Sequence, residues 1–324
     1  MMLLLDREEI KRCFSMKDAI ASTETAFVEN LKGMVESPLR TVIPAQVGNF
    51  LFMSAYARER GYAILKTVNI FPGNFDKGLP TAPSALLLFE GATGLPLACL
   101  DGTYVTQLRT GGATGAALRH LAREDVRIAA MIGSGGQAET QIEAMLTVRK
   151  IQEVRIADVA RERAEALACR MRERFPMVCF RSCSEGDVAV TDADVIVTAT
   201  SSKKPTFSAN HVKPGATISA VGAYRPDMQE IDPQLVAAAD KVFCDDRKAV
   251  LAESGDIIIP LQEGLIEEKK LVDLAQVLTG EAEGRTGGEQ VILFETVGFA
   301  AEDLMAAATI YEVAKERGYG TVWA

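Results

Sequence analysis

Residues 126–138, VRIAAMIGSGGQA, carry a short apolar run straight into Gly133-Ser134-Gly135-Gly136-Gln137-Ala138 and on into a helical pattern. Strand, glycine turn and helix in that order form the unit that a dinucleotide pyrophosphate requires. Gly133 allows the tight turn, Gly135 lets the phosphates approach the backbone, and Ala138 is small enough for the helix to pack on the strand. The N–H groups that open the helix then face the phosphates.

A glycine turn alone arises often by chance, so the rest of the unit has to be present. After a helix of roughly 138–150 comes a second apolar run, Glu153 to Ala157, ending in Asp158, twenty residues beyond Ala138. A carboxylate at the tip of that strand is placed to accept the ribose hydroxyls of an adenosine. The competing structural reading makes Asp158 only a helix N-cap. A carboxylate there repels a 2′-phosphate, which favours NAD(H); Arg161 and Arg163 follow closely and keep NADP(H) as the alternative.

Composition narrows the class. A chain of 324 residues that is 48% hydrophobic can bury large cores and suggests two domains. A net charge of −9 with scattered Lys and Arg offers no basic stripe, so neither nucleic acid nor an anionic membrane is an expected partner. The start, MMLLLDREEI, lacks a basic leader and a long apolar core, and the expected location is cytoplasmic. Cys13, Cys99, Cys169, Cys179, Cys183 and Cys244 show no Cys-x-x-Cys pair and read as buried or inert thiols. With only His120 and His211, no His-based metal site or Ser-His-Asp triad is expected, and proton chemistry falls to Lys, Asp, Glu, Tyr or water.

Along the chain, Leu3–Leu5 reads as a strand, Asp6 caps a first helix, and Ser15 with Asp18 opens a second that runs to about Lys32. From Arg40 to Leu100, short apolar bursts separated by turn residues indicate a mostly antiparallel sheet. Residues 103–122 form a helix with the small-residue run Thr110 to Ala117, whose glycines suggest close backbone packing against another element or a ligand. From Asp125 to about Phe294, strands and helices alternate, which predicts a parallel sheet covered on both faces. The segment Thr296–Arg317 reads as an amphipathic helix returning to the first domain, and the stretch from Gly280 to Gly288 as a surface loop. The fold expected is therefore α/β: a Rossmann-type doubly wound parallel sheet at 123–295, plus an α+β domain built from both chain ends, 1–122 with 296–324.

Three cations in the first domain stand in notable settings: Arg40 after Ser-Pro-Leu, Lys66 inside the apolar strand YAILKTVNIF, and Arg109 before the small-residue run. Each has a plain reading as a solvated charge. Converging on one cavity, they would bind a carboxylate.

The succession KTVNIFPGN, GLPT, LLLFEGATGLPLACLDGTYVTQLRTGGATGAALRHLA, IGSGGQA, ADVIVTAT, VKPGATISAVGAYRPDMQEID and ETVGFAAEDL resembles the ornithine cyclodeaminase/mu-crystallin family over nearly the whole chain. The resemblance implies a homodimer, with a substrate-binding and dimerisation domain made of both chain ends and a Rossmann domain between. It implies a nicotinamide cofactor touched by Thr81, Arg109, Gly136, Gln137, Asp158, Thr200, Ala220, Val221 and Thr296. It also implies a substrate carboxylate held by Arg40 and Lys66 with Arg109 close by. Members act on carbon–nitrogen bonds next to a carboxylate, as cyclodeaminases, alanine dehydrogenases and reductases of cyclic imines.

Two positions depart from the cyclodeaminase pattern: Tyr224 stands where those enzymes carry a catalytic aspartate, and Leu51 where they carry a glutamate. A second substrate ammonium would then lack a partner, which favours a mono-amino or cyclic imino acid such as pyrroline- or piperideine-2-carboxylate. Lys66, Tyr224 through water, or Asp227 are the candidate proton donors for a C=N reduction. Asp227 is also the residue that would replace the missing aspartate in a cyclodeaminase, the second reading. The third is a binding protein of the mu-crystallin kind that holds the nucleotide and an acid without turnover.

Overall fold

The structure, a computed structural model, describes the backbone of residues 1–324 and the side chains of all but Phe75 and Asp76. The chain divides into two compact units, Met1–Gly112 with Phe299–Ala324, and Ala113–Gly298. The first boundary falls inside the helix Gly102–Leu121, whereas the sequence reading put the change after that helix. A continuous helix carries no break in its hydrophobic pattern to mark where its packing partners change.

The first unit is built on one mixed sheet. Its strands lie in the order Thr321–Trp323, Met2–Leu5, Pro96–Asp101, Ser84–Glu90, Tyr62–Ile70, Asn49–Ala57, Val35–Glu36, with Thr41–Pro44 also on Asn49–Ala57. All pairings are antiparallel except Met2–Leu5 with Pro96–Asp101. Alternation fixes the faces: Leu51, Met53, Ile64, Val68, Leu86 and Leu88 are buried on one side, while Phe50 and Leu65 are exposed on the other. The helix Arg7–Cys13 is opened by an Asp6 capping box and Met16–Leu31 by a Ser15 capping box, as read from the sequence.

Against the buried face lies the helix Ala300–Arg317. It is less amphipathic than its sequence suggests, because it is buried almost all round from Ala300 to Ala308, between sheet strands and the helix Met16–Leu31. The Phe299 ring stacks on Phe27 with centroids 5.9 Å apart. Small residues make such contacts close: a Cβ on Gly112 would come within 2.7 Å of the Ala19 carbonyl oxygen and the Thr23 hydroxyl. That packing accounts for glycine inside a helix.

The second unit is a doubly wound sheet of eight parallel strands, ordered Cys179–Cys183, Glu153–Ala157, Ile128–Ile132, Val195–Thr198, Thr217–Ala220, Ile292–Glu295, Lys241–Cys244, Leu271–Asp273. Successive residues serve opposite cores: Ala129, Met131, Val195 and Val197 pack with Ile142, Met145 and Leu167, and Ala130, Ile132 and Ile196 with Val190, Leu235 and Val250. The strand order reverses between Ile128–Ile132 and Val195–Thr198, and the crevice outside their carboxyl ends is where doubly wound sheets bind ligands.

Of the six cysteines, all free, Cys13 and Cys244 are buried, Cys99 and Cys183 half-buried, and Cys169 and Cys179 exposed. Among the described residues no helix is long and apolar enough to cross a membrane, and no cluster of His, Cys, Asp or Glu is arranged to hold a metal.

Candidate functional site

In the second unit the glycine turn follows the strand Ile128–Ile132 directly into the switch-point crevice. Gly133 adopts φ +100°, and a Cβ there would lie 2.6 Å from the Ala199 carbonyl oxygen, so both conformation and space demand glycine. Gly135 is exposed, with nothing within 4 Å of where a Cβ would sit. The helix Ala138–Val148 begins at Gln137 without a side-chain cap, Gln137 Oε1 is buried without a protein partner, and Ala138 is packed inside. An open cradle and an uncapped helix start with free N–H donors fit a dinucleotide pyrophosphate.

Asp158 is not the cap of the following helix, Arg161–Arg174, whose N-cap is Ala160. Its carboxylate ties the glycine turn to the second strand: Oδ2 accepts from the Ser134 N–H at 2.9 Å and the Ser134 hydroxyl at 2.7 Å. Oδ1 accepts from the Ala160 N–H at 2.9 Å and pairs with Arg163 at 3.1 Å. Two of these partners, a hydroxyl rotor and a long guanidinium, can give way to a ribose without loss of the backbone bonds. Arg161 is exposed at the helix start.

Across the crevice, a residue given no role in the sequence reading organises the loops. Glu230 is fully buried, and accepts from the Thr198 hydroxyl at 2.9 Å, the Thr200 N–H at 2.5 Å and the Gly222 N–H at 2.6 Å. It thereby fixes Thr200 and the turn after Ala220 and Val221 in one arrangement. Its own N–H and that of Ile231 are donated to Asp256, at 2.7 and 2.8 Å. Burial raises the Glu230 carboxyl, and burial together with the Glu230 charge pushes Asp256 up to about 8. Thr296 is buried, its hydroxyl donated to Asp245 at 2.6 Å. Burial lifts Asp245 to about 6.

Tyr224 is half-buried on the loop after Val221. Asp227 is exposed and held by Lys203 at 2.8 Å and Arg225 at 2.9 Å, the Lys203 hydrogen bond foremost in holding its pKa below the usual range. Those partners make it a surface ion pair and a poor proton donor.

In the first unit, Lys66 neither snorkels nor reaches solvent. Its side chain is 0% exposed, directly opposite Met53 on one neighbouring strand and Leu86 on the other. Nζ donates to Asp303 Oδ2 at 2.6 Å, and Asp303 is the one described residue that accepts from it. Arg109, also buried, donates from Nε to Asp303 Oδ1 at 3.2 Å and pairs with Glu302 at 3.3 Å. Two cations and two carboxylates thus form a neutral quartet at the start of the helix Ala300–Arg317, where the sequence reading expected cations alone. Burial brings the Lys66 ammonium down to about 8; Asp303 opposes that fall, and the charges of Arg109 and Arg40 add to it. Arg40, half-buried before the strand Thr41–Pro44, therefore lies within electrostatic reach of the quartet. Thr81 is part-exposed, its carbonyl accepting from the Phe71 N–H.

The signal for the missed pair was present: Glu302-Asp303 interrupts the apolar run FAAEDLMAAATIY, and two acids at core positions need buried donors just as Lys66 needs a buried acceptor.

Comparison with known proteins gives the family. Residues 1–318 match the ornithine cyclodeaminase/mu-crystallin family. The chain belongs to that family. It is 35% identical to a Delta(1)-pyrroline-2-carboxylate reductase of Bacillus cereus, over 98% of each chain. Its fold superimposes on the Delta(1)-pyrroline-2-carboxylate reductase of Thermococcus litoralis, solved with NADH and L-proline, with a TM-score of 0.96 and 36% identity over 99% of this chain and 100% of that one. An archaeal alanine dehydrogenase dimer with bound NAD gives 0.91 and 34% identity over 99% and 98%.

Proposed function

We propose that this protein is an NAD(P)H-dependent oxidoreductase of carbon–nitrogen bonds, reducing the C=N bond of a small cyclic α-imino acid of the pyrroline- or piperideine-2-carboxylate type. The observation that carries the reading is Lys66, an ammonium buried in an apolar sheet face with one acceptor among the described residues and three N–H groups to give. The family relatives named for pyrroline-2-carboxylate reduction and alanine dehydrogenation support the reaction class.

In this reading the dinucleotide is held through Gly133, Gly135, Gly136, Gln137 and Ala138 at the pyrophosphate, Asp158 at the adenosine ribose, and Thr200, Ala220, Val221 and Thr296 toward the nicotinamide, and the family resemblance adds Thr81 and Arg109 as cofactor contacts. When bound, the reduced cofactor supplies a hydride to the α-carbon of the imino acid. NAD(H) is the proposed form, because Asp158 already neutralises Arg163 and opposes a 2′-phosphate.

Arg40 supplies positive charge for the substrate carboxylate, and Lys66 and Arg109 supply donors from a quartet that is itself neutral. Lys66 gives the proton that the imine nitrogen needs. Leu51, 3% exposed, puts an alkyl group where the cyclodeaminases carry a glutamate, and the Asp303 and Glu302 carboxylates are already paired with Lys66 and Arg109, which weighs against a diamino acid.

A homodimer belongs to the same proposal. Val42 and Ile43 are 50% and 51% exposed, and Phe50 and Leu65 are 40% and 38% exposed. Phe50 and Leu65 lie on the sheet face away from the core, where a subunit contact would cover them. Oxidation of NADH, followed by absorbance with pyrroline-2-carboxylate, piperideine-2-carboxylate, pyruvate plus ammonium, and ornithine, tests the reaction. Turnover with a cyclic imine is the expected result; ammonia release from ornithine with no net NADH change would make the protein a cyclodeaminase instead.

A further inference from the structure

We propose that Asp303 is the positioning residue of the reaction: its carboxylate, shared between Lys66 and Arg109, keeps the Lys66 ammonium protonated and aimed as the acid for the imine nitrogen. The proposal rests on imine reduction as the function of the site.

The geometry is specific. Each oxygen of Asp303 has its own cation, Oδ2 taking Lys66 Nζ at 2.6 Å and Oδ1 taking Arg109 Nε at 3.2 Å, with the two carboxylates fully buried and both cations nearly so. A carboxylate bonded at both oxygens cannot rotate away from either partner. Lys66 sits between Met53 and Leu86 on the adjoining strands, so an ammonium without Asp303 would discharge there. The charged groups around it come from three places: Asp303 and, through Arg109, Glu302 on the helix Ala300–Arg317; Arg109 on the helix Gly102–Leu121; and Arg40 before the strand Thr41–Pro44. Among the described residues only Asp303 accepts a hydrogen bond from Nζ.

In the reduction a hydride from the dinucleotide forms the new C–H bond, the C=N π pair moves to nitrogen, and nitrogen takes a proton from Lys66 Nζ. The imine is reduced to the amine and the dinucleotide is oxidised. Neutral Lys66 recovers its proton from water, drawn by the Asp303 charge that remains.

The test uses full-length protein with 13Cε-labelled lysine, in which K66R assigns the Lys66 resonance, together with the pH dependence of kcat/KM for NADH-dependent imine reduction. Wild-type Lys66 is expected to titrate at about 8. In D303N the midpoint falls by about one pH unit or more, the alkaline limb of kcat/KM falls with it, and the rate at pH 8 drops about fivefold. D303E, which restores the charge, returns the midpoint to within about half a unit of wild type. D303S, with room for water in place of the carboxylate, serves the same purpose as D303N if the amide variant does not fold. An unmoved Lys66 midpoint overturns the proposal, and so does a midpoint that moves while the alkaline limb stays in place. A wild-type protein that reduces no cyclic imine defeats the reaction itself, and the NMR titration then decides the coupling of Asp303 to Lys66 by itself.

Discussion

Replacing Asp256 with asparagine tests whether the dinucleotide unit folds around a proton. Asp256 is fully buried in the first turn of the helix Gly255–Gln262; Oδ1 takes the N–H groups of Glu230 and Ile231, and Oδ2 is buried without a partner. Burial first, and the Glu230 charge second, raise its pKa from 3.8 to about 8. Because the folded value lies above the unfolded one, the folded state retains a proton that the unfolded chain releases. That stability is complete below the ordinary carboxylate range and is lost as pH rises through about 8. Roughly four pH units at about 1.4 kcal/mol each put the loss on the order of 5 kcal/mol. Glu295, raised well above its usual value by burial and by the Asp256 charge, acts in the same direction. Asparagine keeps the Oδ1 acceptor and is neutral at every pH, so D256N removes the Asp256 share. Urea unfolding followed by far-UV circular dichroism at pH 5 and pH 8.5, with hydrogen exchange at the Glu230 and Ile231 amides, reads the difference. The variant is expected to gain several kcal/mol on wild type between those two pH values. Parallel stability profiles for the two proteins would refute the reasoning, since they would mean that Asp256 carries no extra proton in the folded state.

Other consequences are direct. Gly133→Ala forces a Cβ to 2.6 Å from the Ala199 carbonyl oxygen at φ +100°, so NADH affinity measured by fluorescence should fall at least about tenfold and stability by about 2 kcal/mol; a G133A variant that binds normally would remove the turn from the site. Asp158→Ala deletes the acceptor for the Ser134 and Ala160 N–H groups, costing about 2 kcal/mol and erasing the preference for NADH over NADPH; retained selectivity would limit Asp158 to bracing the loop. Lys66→Met should abolish turnover while NADH affinity stays within about twofold of wild type, and a variant that still reduces imines would exclude Lys66 as the acid.

Much of the architecture could be read from the chain because its signals are local. The run VRIAAMIGSGGQA, the capping residues Asp6 and Ser15, and the apolar strands between them all act over a few residues, and the structure places strands and helices there. The helix Ala300–Arg317 read as amphipathic because Glu302 and Asp303 look like a solvent face until their buried cations are known. Lys66 stood out in its strand, but its partner lies 237 residues away, a separation that no periodicity encodes. Glu230, Asp256 and Glu295 were invisible for a related reason: acids in loops, at helix starts and at strand ends are ordinary in sequence, and only burial makes them exceptional.

Transfer of label decides the central claim most directly. Incubation of the wild-type protein with NADH carrying deuterium at both C4 positions and pyrroline-2-carboxylate, followed by NMR of the product, should give proline with one deuterium on the α-carbon, matched mole for mole by oxidised dinucleotide. Proline without deuterium, or bound NADH that never loses its label, would contradict hydride addition to a C=N bond at this site.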